Sequence, residues 1–216
     1  MRDYITVVSG APRSGTSLMM RMLAAGGIPA LTDGQRPPDA HNPHGYFEYS
    51  PVKRLALGDA ASWIEAARGR AVKIIYRLLT QLPPRMSYRI VFMERDWEEV
   101  FASQRDMLRA QGDAAASQES ARLIPAFAAE MRVVKDWLAR QPGMPMLSVP
   151  YAEVVREPVK WSHEVSRFLG GGMDEAAMAA AVDPLLYRHR IKGGREGLAV
   201  APSPGESAAL PGRPKR

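Results

Sequence analysis

The densest chemistry in the chain lies near its start, in Gly10-Ala11-Pro12-Arg13-Ser14-Gly15-Thr16-Ser17. The two glycines have G-x-x-x-x-G spacing and separate an apolar run from an amphipathic stretch, the strand-to-helix setting in which such a loop wraps an anion. Successive backbone N–H groups and the positive end of the helix dipole converge there, and glycine lets the main chain come close. Arg13 adds a guanidinium, and Ser14, Thr16 and Ser17 add hydroxyls. A loop that holds a nucleoside triphosphate with magnesium carries lysine after the second glycine. Here that residue is Thr16, and the nearest cation is Arg13, inside the loop. The spacing therefore predicts an anion site for which a magnesium–triphosphate is the poorer ligand. A turn without a ligand fits badly, because three hydroxyls and an arginine crowd one helix start.

The elements that must position this loop alternate between strand and helix. Tyr4–Ser9 reads as a buried strand, and Thr16–Ala25 as the helix after the loop. Residues 31–46, rich in Pro, Asp, Asn, His and Gly, read as a long loop. Ser50-Pro51 marks a helix start, with the helix expected to reach about Ala67. Ala71–Tyr76 and Tyr88–Met93 read as the second and third strands. Asp96 with Glu99 has the capping-box pattern at the head of a helix that runs to about Arg109. Ile124, Phe127, Met131, Val134 and Leu138 share one helical face; "MPMLSV" reads as a fourth strand; Trp161, Val165 and Phe168 place one face of a further helix on the core. Strands separated by helices imply a three-layer α/β fold, with a mostly parallel sheet of about four to five strands covered on both faces. Met19, Met20 and Met22 are expected to pack against that sheet rather than line a pocket.

The 216 residues suit one domain, expected over residues 1–187. The absence of cysteine excludes disulfides, thiolate metal sites and cysteine nucleophiles, and suits a reducing cytoplasm. The apolar run at the N-terminus is too short for a signal peptide, and no stretch approaches the roughly 20 apolar residues of a membrane helix. The net charge is +6, yet Arg188, Arg190, Lys192, Arg195, Arg213, Lys215 and Arg216 stand against Glu196 and Glu206, so five of the six charges fall in 188–216. That segment is expected to be a solvated Pro/Gly/Ser tail with a basic tip. No basic face with interleaved aromatics appears elsewhere, so no nucleic-acid partner is expected.

The loop sequence "PRSGTS" after a buried strand resembles the 5′-phosphosulfate loop of sulfotransferases that use 3′-phosphoadenosine 5′-phosphosulfate (PAPS). "YRIVFMERDWEEVFASQ" is similar to that family's 3′-phosphate element, whose arginine falls on Arg95 and whose serine falls on Ser103. "LSVPYAEVVREP" resembles a third family segment, in which Tyr151 would lie near the adenine. "NPHGYFE" is similar to an element of many bacterial members. The echoes run from about Tyr4 to Pro158, and the first two are specific in combination. The resemblance implies a P-loop-like fold and transfer of a sulfuryl group to a hydroxyl or amine. It further implies donor contacts from Arg13, Ser14, Gly15, Thr16, Ser17, Arg95, Ser103 and Tyr151, and no metal.

Cytosolic family members place a lysine near the sulfonate, and Lys73 aligns with it; a strand-end lysine reaching solvent is an equal reading. Those members follow the lysine with Thr-His, and the histidine is the base, whereas this chain reads Lys73-Ile74-Ile75. Other branches use glutamate, and Glu48, which closes "HGYFE", is the expected general base, ahead of His41, His44 and Asp33. The competing structural role for Glu48 is an ion pair with Lys53 or Arg54; for Arg95 it is one with Glu98 or Glu99; for Asp33 it is a turn cap. Arg188, Arg190 and Lys192 form a looser echo of a late basic-glycine segment. The acceptor class stays open among small-molecule, glycan and lipid hydroxyls. Two other readings compete: a P-loop kinase or NTPase, supported by the acidic end of "RIVFME", and a non-catalytic nucleotide-binding module.

Overall fold

The computed structural model describes residues 2–40, 42–59, 63–110 and 120–187. Four strands form one parallel sheet in the order β2-β1-β3-β4: β1 is Ile5–Gly10, β2 Ala71–Lys73, β3 Tyr88–Glu94 and β4 Met146–Pro150. In the ladder Val7 lies opposite Val72 on one side and Ile90 on the other, and Val91 lies opposite Leu147. β1 and β3 are nearly continuous apolar runs because both faces of the sheet are covered. Side chains alternate across it. Ile5, Val7, Val72, Ile90 and Phe92 face a layer that includes α3 (Ile124–Leu138) and the 3-10 turns Ser50–Leu57 and Tyr76–Gln81. Val8, Ala71, Val91, Met93 and Val149 face α1 (Thr16–Ala25), α4 (Tyr151–Arg156), α5 (Pro158–Phe168) and α6 (Glu175–Ala180). The result is the three-layer α/β architecture expected from the strand–helix alternation. Met19, Met20 and Met22 are fully buried in the second layer, the core role expected of them.

Three elements depart from their sequence reading. The helix expected from Ser50 to Ala67 is a 3-10 turn that stops at Leu57, because Gly58 takes a left-handed conformation (φ 72°) and caps it; a second short turn covers Glu65–Ala67. The second strand ends at Lys73 rather than Tyr76. β2 pairs with β1 and, on its other edge, makes an isolated parallel bridge from Ala71 to Ala30; its last bond to β1 runs from Ile74 N to Val8 O at 3.0 Å, and Tyr76 already opens the next turn. On α3, Met131, Val134 and Leu138 pack onto the core as expected, whereas Phe127 turns to Trp97 and Phe101, with ring centroids 6.2 and 5.7 Å away.

The C-terminal ends of β1 and β3 feed the loops that matter for function, with α2 (Trp97–Ala110) following β3. The Asp96–Glu99 capping box does not form. Asp96 Oδ1 accepts from Glu98 N at 2.7 Å, which caps the helix, but the Glu99 carboxylate pairs with Arg95. No described helix is long and apolar enough to cross a membrane.

Candidate active site

A cleft of about 700 Å³ opens at the C-terminal ends of β1, β2 and β3, where open α/β sheets bind ligands. Its floor is the 10–17 loop. Gly10 and Gly15 both have positive φ (144° and 100°), and a Cβ at Gly10 would meet Met93 O, while one at Gly15 would overlap the Tyr151 ring. Both positions therefore demand glycine for backbone conformation and for space. Arg13 also adopts the left-handed region (φ 69°), which a non-glycine residue takes only when its surroundings hold it there.

Two interactions hold it. Arg13 Nε donates to Ser103 Oγ at 3.0 Å, and Arg95 Nη1 donates to Arg13 O at 3.0 Å. The loop after β1 and the element after β3, 82 residues apart at their arginines, thus interlock on one wall of one cleft. Burial lowers the Arg13 pKa from its ordinary value, and the nearby Arg95 charge acts in the same direction. Arg95 Nε pairs with Glu99 Oε2 at 2.9 Å, with both side chains 7% exposed, and its guanidinium lies 4.6 Å from the Tyr151 ring centroid and 5.3 Å from that of Tyr187. Of the two partners weighed in sequence, Glu99 takes the ion pair and Glu98 does not. Glu99 Oε1 accepts from Tyr187 OH at 2.7 Å, so the carboxylate joins α2 to the chain after α6.

The loop residues divide. Gly15, Thr16 and Ser17 line the cleft, and Ser17 Oγ donates to Tyr46 O at 3.3 Å. Ser14 does not line it: its side chain is 1% exposed, turned beneath the loop toward Gly10, and its N–H bonds to Ala11 O at 3.1 Å. The hydroxyl expected to contact the donor is therefore part of the loop's packing. Tyr151 lines the cleft while its ring rests on Gly15.

Across the cleft, the 31–48 loop brings Glu48 toward Lys73. Glu48 Oε1 lies 2.9 Å from Arg36 Nη1 and 3.9 Å from Lys73 Nζ, so the partners weighed in sequence, Lys53 and Arg54, are not the ones it takes; Arg54 pairs with Asp59 instead. Lys73 does not reach out into solvent. Its side chain is 13% exposed, its ammonium donates to Tyr46 O, and burial pulls its pKa from the ordinary lysine value to about 8, with Glu48 opposing that shift. Arg36 stacks 3.4 Å over the Tyr46 ring, and Tyr46 OH donates to Asp39 Oδ2 at 2.6 Å.

The alternative bases fare differently. Asp33 does not line the cleft. It accepts from Gln35 N at 3.1 Å and from Ser50 N at 2.6 Å, and these backbone bonds lower its pKa. That is the capping role, extended to the turn at Ser50. His44 lines the cleft, with Nε2 3.9 Å from Asp183 Oδ2. His41, Arg188, Arg190 and Lys192 lie outside the described residues, as does all of 188–216. The acidic end of β3, the mark of a magnesium-holding strand, is Glu94, which pairs with Lys135 of α3 away from the cleft. Among the described residues no cluster of three or more His, Asp or Glu could hold a metal.

Sequence reasoning missed Arg21, Arg36, Tyr46, Asp183 and Tyr187. Arg21 carried a usable signal, since it stands four residues after Ser17 on the same helix face. The others depend on how loops fold back over the sheet, which no local pattern encodes.

No family model matches the chain, and no curated protein does. Solved structures similar to it include sulfotransferases. The sulfotransferase domain of the Synechococcus PCC 7002 olefin synthase is 17% identical over 91% of each chain, with a TM-score of 0.48. A mouse sulfotransferase complexed with PAP is 14% identical over 84% of this chain and 63% of that one, with a TM-score of 0.49. A sulfotransferase from Alicyclobacillus acidocaldarius is 16% identical over 87% of this chain and 97% of that one, with a TM-score of 0.48. At such identities and TM-scores these likenesses do not bear on the chemistry; the cleft residues do.

Proposed function

We propose that the protein is a PAPS-dependent sulfotransferase that moves the sulfuryl group to a hydroxyl or amine of a small-molecule, glycan or lipid-linked acceptor. The observation that carries this reading is the direct interlock of Arg13 with Ser103 and Arg95 on the wall of a single cleft. A nucleotide phosphorylated at both ends of its ribose needs two anion sites within one molecule's reach. The loop after β1 and the element after β3 are two such candidates side by side.

In this reading the loop N–H groups and Arg13 hold the 5′-phosphate and the bridging oxygen. As the acceptor oxygen bonds to sulfur, the bridging sulfur–oxygen bond breaks and negative charge moves onto the departing phosphate. Contacts that strengthen with that charge act in the transition state and so raise the rate. Arginine's planar fork suits two anionic oxygens at once. Lys73, buried at the end of β2, places a further cation toward the sulfuryl group. Glu48 takes the proton from the attacking hydroxyl, and the Arg36 pair orients its carboxylate. Ser103 and Arg95 serve the 3′-phosphate side, with Tyr151 toward the base. Arg95 acts in part through Arg13, since its guanidinium fixes the Arg13 carbonyl and with it the shape of the loop.

The test is thermal stabilisation, because a ligand that binds only the folded state raises the melting temperature. Adenosine 3′,5′-bisphosphate is expected to stabilise the protein and ATP with magnesium to do so weakly. The reverse result would sink the assignment in favour of a kinase or NTPase. Transfer of radiolabelled sulfate from PAPS, screened against acceptor classes, then identifies the acceptor.

A further inference from the structure

Tyr46 is held through its carbonyl, its hydroxyl and its ring at once. It lines the cleft two residues before Glu48, with 5% of its surface exposed. Its carbonyl accepts from Ser17 Oγ at 3.3 Å and from the Lys73 ammonium, so one oxygen ties the start of α1 to the end of β2. Its hydroxyl donates to Asp39 Oδ2 at 2.6 Å, which fixes the ring. The Arg36 guanidinium lies 3.4 Å from the centroid of that ring, and its Nη1 lies 2.9 Å from Glu48 Oε1. The backbone between Tyr46 and Glu48 is equally constrained. Phe47 takes the left-handed region (φ 51°), which a residue other than glycine adopts only when its surroundings hold it, and its side chain packs on the same core as α1. The Glu48 carbonyl accepts from Thr32 Oγ1 at 2.9 Å and from Asp33 N at 3.2 Å.

A general base works only within hydrogen-bond reach of the proton it takes, and a small misplacement slows transfer severely. Glu48 and Arg36 are both more than a third exposed, so burial alone fixes neither. The face of the Tyr46 ring gives the long Arg36 side chain one orientation, and Arg36 in turn holds the carboxylate. We infer that Tyr46 is a positioning residue for the transfer: through Arg36 it aims the Glu48 carboxylate, and through its carbonyl it sets the distance of that carboxylate from Ser17 and Lys73, where the donor is expected. This inference rests on the proposed transfer with Glu48 as its base. Packing alone would make Tyr46 a stability residue with no link to Glu48, and the two roles differ in how their losses combine.

A double-mutant cycle separates them. Release of radiolabelled sulfate from PAPS is followed to water and to hydroxyl acceptors of each class, with the melting temperature and the Kd for adenosine 3′,5′-bisphosphate measured on every variant. Tyr46→Leu removes the stacking face and the hydroxyl; it is expected to lower kcat about tenfold or more while that Kd stays unchanged. Tyr46→Phe keeps the ring beneath Arg36 and is expected to recover most of the loss. In a Glu48→Gln background Tyr46→Leu is expected to cost no further turnover, because the group it aims is gone. Should the leucine variant melt early, Tyr46→Met, which fills more of the space without an aromatic face, runs the same cycle. Losses that multiply in the double variant, or wild-type kcat in a normally melting Tyr46→Leu, would overturn the positioning role while leaving Glu48 as the base. Full turnover in Glu48→Gln, or wild type that binds the bisphosphate yet releases no sulfate to any acceptor, would overturn the proposed transfer chemistry and this inference with it.

Discussion

The two sides of the cleft are built on different principles. On the β1–β3 side, Arg13, Ser103, Arg95 and Glu99 form one buried, interlocked set in which each group positions the next. On the β2 side, Glu48 and Arg36 are more than a third exposed and belong to a long loop, held down by the Tyr46 carbonyl that Ser17 and Lys73 both contact. Under the proposed function, the difference is the one a group-transfer enzyme needs. A donor that never varies can be met by rigid, preorganised groups, whereas acceptors vary between enzymes and are met by loops.

If the rigid side supplies transition-state stabilisation, removing its central cation has the largest effect. Arg13→Ala is expected to lower kcat/KM by about 10³-fold, the scale of losing a donor aimed at developing charge, with donor affinity measured in parallel. On the other side, Glu48→Gln is expected to cut kcat by about 10²-fold or more while the Kd for adenosine 3′,5′-bisphosphate stays unchanged. Unchanged turnover would remove Glu48 as the base and dissolve the division of labour between the two sides.

Arg95→Ala sharpens the comparison, because it tests an interlocked group that lies beside the chemistry. Its loss leaves Glu99 buried without its cation, at a cost of about 3 kcal/mol in chemical denaturation, and raises the donor KM more than it lowers kcat. A variant with normal stability and a purely kcat defect would contradict its positioning role.

The smallest expected effect is a pH dependence. Lys73 titrates near 8 in the folded protein and near 10.5 unfolded, so between those values the unfolded state binds more protons and stability rises with pH. Below pH 8 both states are protonated and the desolvation cost of the buried charge is fully present. Melting temperatures from pH 8 to 10.5 are therefore expected to rise for wild type relative to Lys73→Met, which has no group to titrate; parallel pH profiles would contradict the burial of a charged Lys73.

The same asymmetry governs what the sequence made legible. The loop from Gly10 to Ser17, β1, α1, β3 and the helix after it are local patterns of apolar runs, glycine spacing and helical period, and they fold as read. Ser14 shows where that local reading stops: the motif places a hydroxyl in the loop, but whether it faces the ligand or the core depends on Gly10 and β3 beneath it. Arg36 was invisible because its role comes from stacking on Tyr46 and reaching Glu48, a geometry set by the fold of a Pro- and Asp-rich loop. The helix expected after Ser50 failed for a similar reason, since the left-handed Gly58 ends it after eight residues of 3-10 geometry.

The most direct test of the central claim, that both anion sites serve one ligand, is the ratio of two dissociation constants measured by calorimetry. The 3′-phosphate should matter: adenosine 3′,5′-bisphosphate is expected to bind wild type at least about tenfold more tightly than adenosine 5′-phosphate, the scale of charge-assisted contacts, with the ratio falling in Ser103→Ala. Equal affinities for the two nucleotides would mean that the element after β3 meets no phosphate, and would contradict the account.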